Sequence, residues 1–254
     1  MKTYIAKNID VIQINITSGV TEYEFPKNVA WSGKKIDKLA IYAPASTPML
    51  SPIDGVTPVM PASLCDNLYL NLYNGKGGDI AHYMHAGNIV YDNNNPVWIN
   101  DTLSLELSSI KFATAPLSNY AMLIYVYYDG RFVEDYEEPK RNTTIMFSVG
   151  AHSKMNFHDI INTTFHVDNE KVRGIHIWNA ENTPVYITLR DYKLTYALNN
   201  ISPQIARPQI LKDASAQLSQ VHPLYLDSVD IDFDYSYILN TTANSVSVTM
   251  QIDY

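Results

Sequence analysis

The order of apolar and polar positions along the chain is that of a β-protein. Val11-Ile12-Gln13-Ile14-Asn15-Ile16 alternates and stops at Ser18-Gly19, and Tyr23-Glu24-Phe25 ends at Pro26, which predicts an opening hairpin. Leu103-Ser104-Leu105-Glu106-Leu107 and Val229-Asp230-Ile231-Asp232-Phe233-Asp234-Tyr235 alternate as cleanly. Each predicts a strand with one buried face and one turned to water or to a partner. Ala121-Met122-Leu123-Ile124-Tyr125-Val126-Tyr127-Tyr128 is apolar throughout, the pattern of a strand covered on both sides, for example by a neighbouring domain. One helix is predicted over residues 208–220, where Ile210, Leu211, Ala214 and Leu218 recur at helical spacing behind Pro208.

The same succession of blocks occurs twice. Lys34-Lys35-Ile36-Asp37-Lys38-Leu39-Ala40-Ile41-Tyr42-Ala43 is echoed by Glu170-Lys171-Val172-Arg173-Gly174-Ile175-His176-Ile177-Trp178-Asn179. Downstream, Leu68-Tyr69-Leu70-Asn71-Leu72-Tyr73 matches Val185-Tyr186-Ile187-Thr188-Leu189-Arg190, and Val97-Trp98-Ile99-Asn100-Asp101 matches Leu224-Tyr225-Leu226-Asp227-Ser228. Each half closes on a β-rich run, 122–129 and 246–254. The shared order predicts two tandem copies of one β-domain, far longer than the roughly 20 to 50 residues of a solenoid repeat. Residues 1–130 are the expected first domain, the charged stretch 131–142 a linker, and 143–254 the second domain.

Composition narrows the function more than the fold. With 46% hydrophobic and 17% charged residues the chain is globular, and its 19 tyrosines with many Ile, Val and Thr favour strands. A net charge of -8 speaks against a protein that coats phosphate backbones, which needs clustered Lys and Arg. Cys65 is the single cysteine, so no intrachain disulfide forms. The first ten residues lack the apolar core of a signal peptide, and no apolar run approaches the ~20 residues of a membrane span. The expectation is a soluble chain made in a cytoplasm, in which Asn-x-Ser/Thr triplets such as those at Asn142 and Asn240 reflect turn chemistry.

Candidate chemistry is sparse. His82 and His85 are three apart but have no Cys or carboxylate at a zinc-type spacing, so they are expected on a surface or loop. His152, His158 and His166 fall in the opening strands of the second copy, and His176 stands where the first copy has Ala40, a structural slot. Asp230, Asp232 and Asp234 share one face of the expected strand and are weak calcium candidates; side chains there lie about 7 Å apart, too far for one ion without a bulge. The alternative is a solvated acidic face. No phosphate-cradling Gly-x-x-x-x-Gly-Lys-Ser/Thr, nucleophile-elbow Gly-x-Ser-x-Gly or His-Glu-x-x-His occurs, and Gly75-Lys76-Gly77-Gly78 is a turn. No catalytic residue and no cofactor is expected. Trp98 and Trp178 sit in matched blocks opposite Tyr225 and Tyr42, which favours core packing over sugar stacking.

The first copy carries an insertion that the second lacks, at residues 44–61. Pro44, Pro48, Pro52, Pro58 and Pro61 interleave there with Met49, Leu50, Ile53, Val56, Val59 and Met60. Such an extended apolar arm either packs on its own domain or docks on a neighbouring subunit, and these six apolar residues are the candidate interface. In layout, from Val11 to Tyr254, the chain resembles the tandem jelly-roll virion proteins of phages. Among these are the double jelly-roll capsid proteins of tailless phages and the capsid or tail accessory proteins of phages infecting Bacteroidetes. The resemblance implies an all-β fold of two tandem antiparallel jelly-roll-like sandwiches with one short helix in the second. It also implies a non-enzymatic virion subunit whose partners are copies of itself and other virion proteins, with no membrane and no direct nucleic acid. The rival expectation is a tandem carbohydrate-binding module or receptor-binding protein.

Overall fold

The computed structural model describes residues 3–5, 7–43, 50–51, 53–89, 97–134, 140–161, 172–178, 185–192, 197–201 and 224–254. Strand β1 (Thr3–Ile5) precedes a run of eight: β2 (Asn8–Ile16), β3 (Glu22–Glu24), β4 (Lys35–Tyr42), β5 (Leu68–Tyr73), β6 (Asp79–His85), β7 (Val97–Thr102), β8 (Ser109–Phe112) and β9 (Tyr120–Tyr128). Strand β10 (Arg131–Val133) precedes another eight: β11 (Asn142–Val149), β12 (Ser153–Asn156), β13 (Val172–Trp178), β14 (Val185–Arg190), β15 (Ala197–Ile201), β16 (Leu224–Val229), β17 (Tyr237–Asn240) and β18 (Val246–Asp253). The chain divides into two compact units, Asp10–Asp129 and Met1–Ile9 with Gly130–Tyr254, called here the first and second sandwich.

Both sandwiches are woven in one order. In the first, β2-β9-β4-β7 form one sheet and β3-β8-β5-β6 the other; in the second, β11-β18-β13-β16 and β12-β17-β14-β15 do the same. Counted within each run of eight, this is 1-8-3-6 over 2-7-4-5, two interlocked Greek keys, which is the jelly roll. The matched sequence blocks fall on strands of equal rank, the third, fourth, sixth and eighth of each run. Alternation drives the assembly: Ile12, Ile14 and Ile16 of β2 and Val246, Val248, Met250 and Ile252 of β18 are buried while the residues between them are not. In the first sandwich these residues meet Leu68, Leu70 and Leu72 of β5 and Ile110 and Phe112 of β8 in one core between the sheets.

Several segments fold differently from their pattern. The expected opening hairpin does not form, because β2 and β3 join different sheets: Glu22, Tyr23 and Glu24 of β3 pair with Lys111, Ile110 and Ser109 of β8. The first nine residues cluster with the second sandwich, since β1 pairs with β10 (Thr3 with Val133, Ile5 with Arg131) and Asn8 and Ile9 pair in parallel with Ala197 and Leu198 of β15. Arg131–Val133, within the expected linker, is thus a paired strand. β9 is buried on both faces from Ala121 to Tyr128. Among the described residues one short helix, α1 (Phe157–Ile161), lies in the second sandwich, and two 3-10 turns, Ala62–Asn67 and Ala86–Ile89, lie in the first. Residues 208–220 lie outside the described residues.

The clearest departures are residues 103–107 and 229–235, where alternation predicts strands and the chain instead turns, at 105–107 and, beyond the end of β16, at 233–235. Each turn follows an isolated bridge, Leu103 to Asn74 and Ile231 to Asp191. Ser104 N–H donates to the Tyr73 carbonyl at 2.8 Å and Ser108 N–H to the Ser104 carbonyl at 3.0 Å. In the second sandwich Asp232 N–H donates to the Arg190 carbonyl at 2.8 Å and Ser236 N–H to the Asp232 carbonyl at 2.9 Å. The hydroxyl of Ser108 accepts from Tyr73 N–H at 3.0 Å, that of Ser236 from Arg190 N–H at 3.1 Å. Leu103-Ser104-Leu105-Glu106-Leu107-Ser108 and Ile231-Asp232-Phe233-Asp234-Tyr235-Ser236 are therefore a further matched block, read in the sequence only as two separate alternating runs.

Candidate interaction surface

The described part of the insertion of the first sandwich, from Leu50 on, is a built hairpin rather than a loose arm. Leu50 bridges Pro58 in antiparallel fashion, Ser51 N–H donates to the Thr57 carbonyl at 2.8 Å, and Gly55 N–H closes the tip on the Ser51 carbonyl at 2.8 Å. Asp54 organises it: one carboxylate oxygen accepts from Val56 N–H and Thr57 N–H, both at 2.9 Å, and the other from the Thr57 hydroxyl at 2.6 Å and Gln13 Nε2 at 2.7 Å. Gln13 in turn accepts from the Ser51 hydroxyl at 2.5 Å, which fastens the hairpin to β2. The slight burial of Asp54 opposes ionisation, but hydrogen bonds from Gln13, Thr57 and the Val56 and Thr57 amides outweigh it and hold the carboxyl well below the usual carboxylate range.

The six candidate interface residues part company on this scaffold. Val59 and Met60 are fully buried in their own sandwich; Val59 bridges Ala121 of β9, and Met60, whose amide donates to the Ala121 carbonyl at 2.8 Å, belongs to the core. They are not on offer to a partner. Leu50, Ile53 and Val56 remain 39, 46 and 76% exposed. Met49 lies outside the described residues. A polar network thus holds an apolar tip out in solvent, the reverse of the usual arrangement in a loop.

The calcium candidates do not share a face. Asp232 is buried and accepts the amides of Asp234 (3.1 Å) and Tyr235 (3.4 Å), capping the turn as an Asx residue does. Asp234 is exposed beside His158, 3.3 Å away, and Asp230 is half-buried. The position of Asp232 is held in the first sandwich by Ser104, whose hydroxyl accepts from Leu107 N–H at 3.4 Å, so the shared role is turn capping. Among the described residues no three His, Cys, Asp or Glu side chains are placed to hold a metal ion together.

Two polar features stand on sheet faces. In the first sandwich Lys38 of β4 lies over the rings of Tyr127 (4.4 Å) and Trp98 (5.1 Å). Burial pushes the Lys38 ammonium down to about 8, against the opposing pull of Asp37. Trp98 is 47% exposed on the edge strand β7, a correction to its expected core position; Trp31 is the buried one, and the Trp178 side chain lies outside the described residues. In the second sandwich His176 of β13 hydrogen-bonds through Nε2 to Asp253 of β18 across the sheet, and Gln251 Nε2 donates to Asp253 at 2.7 Å. Burial opposes the Asp253 carboxylate, but these hydrogen bonds and the His176 charge hold its carboxyl below the usual range. Gly174 lets the pair close up, because a Cβ there would stand 3.1 Å from the Asp253 carboxylate. Of the remaining histidines, His152 sits in a turn and His158 on α1, both in the second sandwich; His166 lies outside the described residues. His82 and His85 are on β6 of the first sandwich, beside the exposed Tyr83 and the half-buried Tyr69, whose convergence no sequence spacing announced.

No protein-family model and no curated protein matches the chain. Similar solved structures include a chain from the atomic structure of Sulfolobus turreted icosahedral virus, 12% identical with a TM-score of 0.24, covering 97% of this chain and 90% of that one. Another is the major capsid protein of bacteriophage PM2, 12% identical with a TM-score of 0.23, covering 100% and 97%. Likeness at this level bears no weight on function.

Proposed function

We propose that this chain is a non-enzymatic structural protein of a phage virion, a capsid subunit or a capsid or tail accessory component. It assembles through contacts between its own copies and with other virion proteins. The observation that carries the reading is the hairpin at residues 50–58. Its polar network fixes Leu50, Ile53 and Val56 in solvent, where exposed apolar surface gains an isolated chain nothing and serves a partner. The common weave of the two sandwiches supports an internal duplication, and a duplicated subunit brings two similar faces to a closed ring or lattice. Jelly rolls also host lectins and cupins, so the weave alone selects no function and the hairpin supplies the interface.

The test is the absolute mass of the full chain by light scattering over a concentration series, with electron microscopy of any large species. A discrete oligomer or growing particles is the expected result, and the variant carrying Leu50→Ser, Ile53→Ser and Val56→Ser should remain a monomer with an unchanged melting temperature. A parent chain that stays monomeric at every concentration overturns self-assembly, and an oligomer that survives the triple change overturns the hairpin as its interface.

A further inference from the structure

The outer face of sheet β3-β8-β5-β6 in the first sandwich carries a set of aromatic rings that the core does not use. The core side of β5 is Leu68, Leu70 and Leu72, with Met84 of β6 packed against it. On the other side Tyr69 stands edge-on to Tyr83, ring centroids 6.4 Å apart at 70°, and to His85, 5.5 Å apart at 81°. His82 meets Tyr83 at 4.7 Å and 88°. In a regular strand residues 82 and 83 would point to opposite faces. They meet because Tyr83 has a left-handed backbone, φ 49°, in a hairpin whose register slips between Leu70 and Leu72 and again before Tyr73.

A left-handed tyrosine is strained, so something must hold it. The buried side chain of Asn71 does, its Oδ1 accepting from Tyr83 N–H at 2.8 Å. His85 is fixed as firmly: its Nε2 lies 2.9 Å from the Asp66 carbonyl, and its ring fills the space a Cβ at Gly87 would need, at 2.9 Å. The rings are thus set in place before anything binds, and Tyr83 is 55% exposed. Beside them Lys111, opposite Tyr69 on β8, pairs with Glu22 at 3.1 Å.

We propose that this face binds a neutral saccharide chain, laid across Tyr69 and Tyr83. A sugar ring has apolar C–H faces and a rim of hydroxyls, and tyrosine offers the matching pair, an apolar body with a polar tip. Rigid aromatic surface with a few polar groups, here the paired Lys111 and Glu22 and the His82 ring against Tyr83, is what orients such a ligand. Glu22 and Glu24 on the same sheet, in a chain of net charge -8, disfavour a polyanion. The exposed groups are aromatic and polar rather than aliphatic, unlike the tip of the 50–58 hairpin. The matched face of the second sandwich does not repeat the site, because Tyr186 of β14, the opposite number of the half-buried Tyr69, is fully buried. One site per chain follows.

The experiment is calorimetric titration of the full chain with maltohexaose, cellohexaose, laminarihexaose and N-acetylchitohexaose, each to about 5 mM, where even millimolar affinity is seen. At least one should bind at one site per chain. Tyr69→Ala and Tyr83→Gly should each weaken it at least about tenfold, equivalent to roughly 1.4 kcal/mol. Glycine accepts the left-handed backbone without strain, so Tyr83→Gly removes the ring and keeps the fold. Tyr235→Ala, an exposed tyrosine of the second sandwich, should change nothing. No heat from any of the four sugars, or binding that survives both Tyr69→Ala and Tyr83→Gly, overturns the proposal. Neither result depends on whether the chain self-assembles.

Discussion

Replacing Ser108 and Ser236 by alanine, one at a time, should injure the two sandwiches alike. Each serine is buried, and each hydroxyl is the acceptor for the amide of the last residue of the fourth strand, Tyr73 at 3.0 Å and Arg190 at 3.1 Å. Alanine leaves that amide facing a void the size of a hydroxyl, too small for water. The loss combines a hydrogen bond worth about 1 kcal/mol with the desolvation of an orphaned donor, for a total of roughly 1–3 kcal/mol per site. For a unit of this size about 2 kcal/mol lowers the melting temperature by roughly 5–10 °C. Differential scanning calorimetry of the full chain reads this directly. A shift below about 1 °C in either variant, or a large loss in only one, would refute the claim that both turns are braced by the same serine.

Lys38 sets a pH dependence in the alkaline range. Its ammonium value is lowered to about 8 in the folded chain, so between pH 8 and roughly 10 the unfolded state holds more protons and stability should rise with pH. Lys38→Met should flatten that limb and leave the chain more stable at neutral pH by about 1–3 kcal/mol, measured by urea denaturation at several pH values. Asp253 acts at the other end. Its lowered carboxyl contributes stability above the usual carboxylate range near 4 that is lost as pH falls through the folded value, and His176→Ala should cost about 2 kcal/mol at neutral pH and weaken that acid limb. Within the insertion, Met60→Ala should cost roughly 2–5 kcal/mol, as a core truncation does, whereas Val56→Ala should stay within about 0.5 kcal/mol, by the same denaturation assay. Comparable losses at both positions would contradict the split of the insertion into a buried root and an exposed tip.

Residue patterning alone settles the class of fold and much of its internal correspondence. Alternation at Ile12, Ile14 and Ile16 and at Val246, Val248, Met250 and Ile252 marks which side of a strand is buried, because the side-chain period of two is a property of the backbone. The four matched blocks landed on strands of equal rank because the same rank sees the same neighbours in both sandwiches. Alternation does not say what a polar position is for. At Ser104, Ser108, Asp232 and Ser236 the side chains look like the outward half of a strand, yet they cap turns and receive strand amides from residues far along the chain. The sequence also showed that the insertion is apolar without showing which part is core. Met60 is held inside by Ala121, which is remote in sequence, and Val56 is held outside by Asp54 and Gln13. Tyr69, Tyr83 and His85 converge through a left-handed residue and slipped register, which periodicity counted along one strand cannot express. Residue patterning fixes local period and burial, whereas partners brought together from distant strands exist only once the sheets are woven.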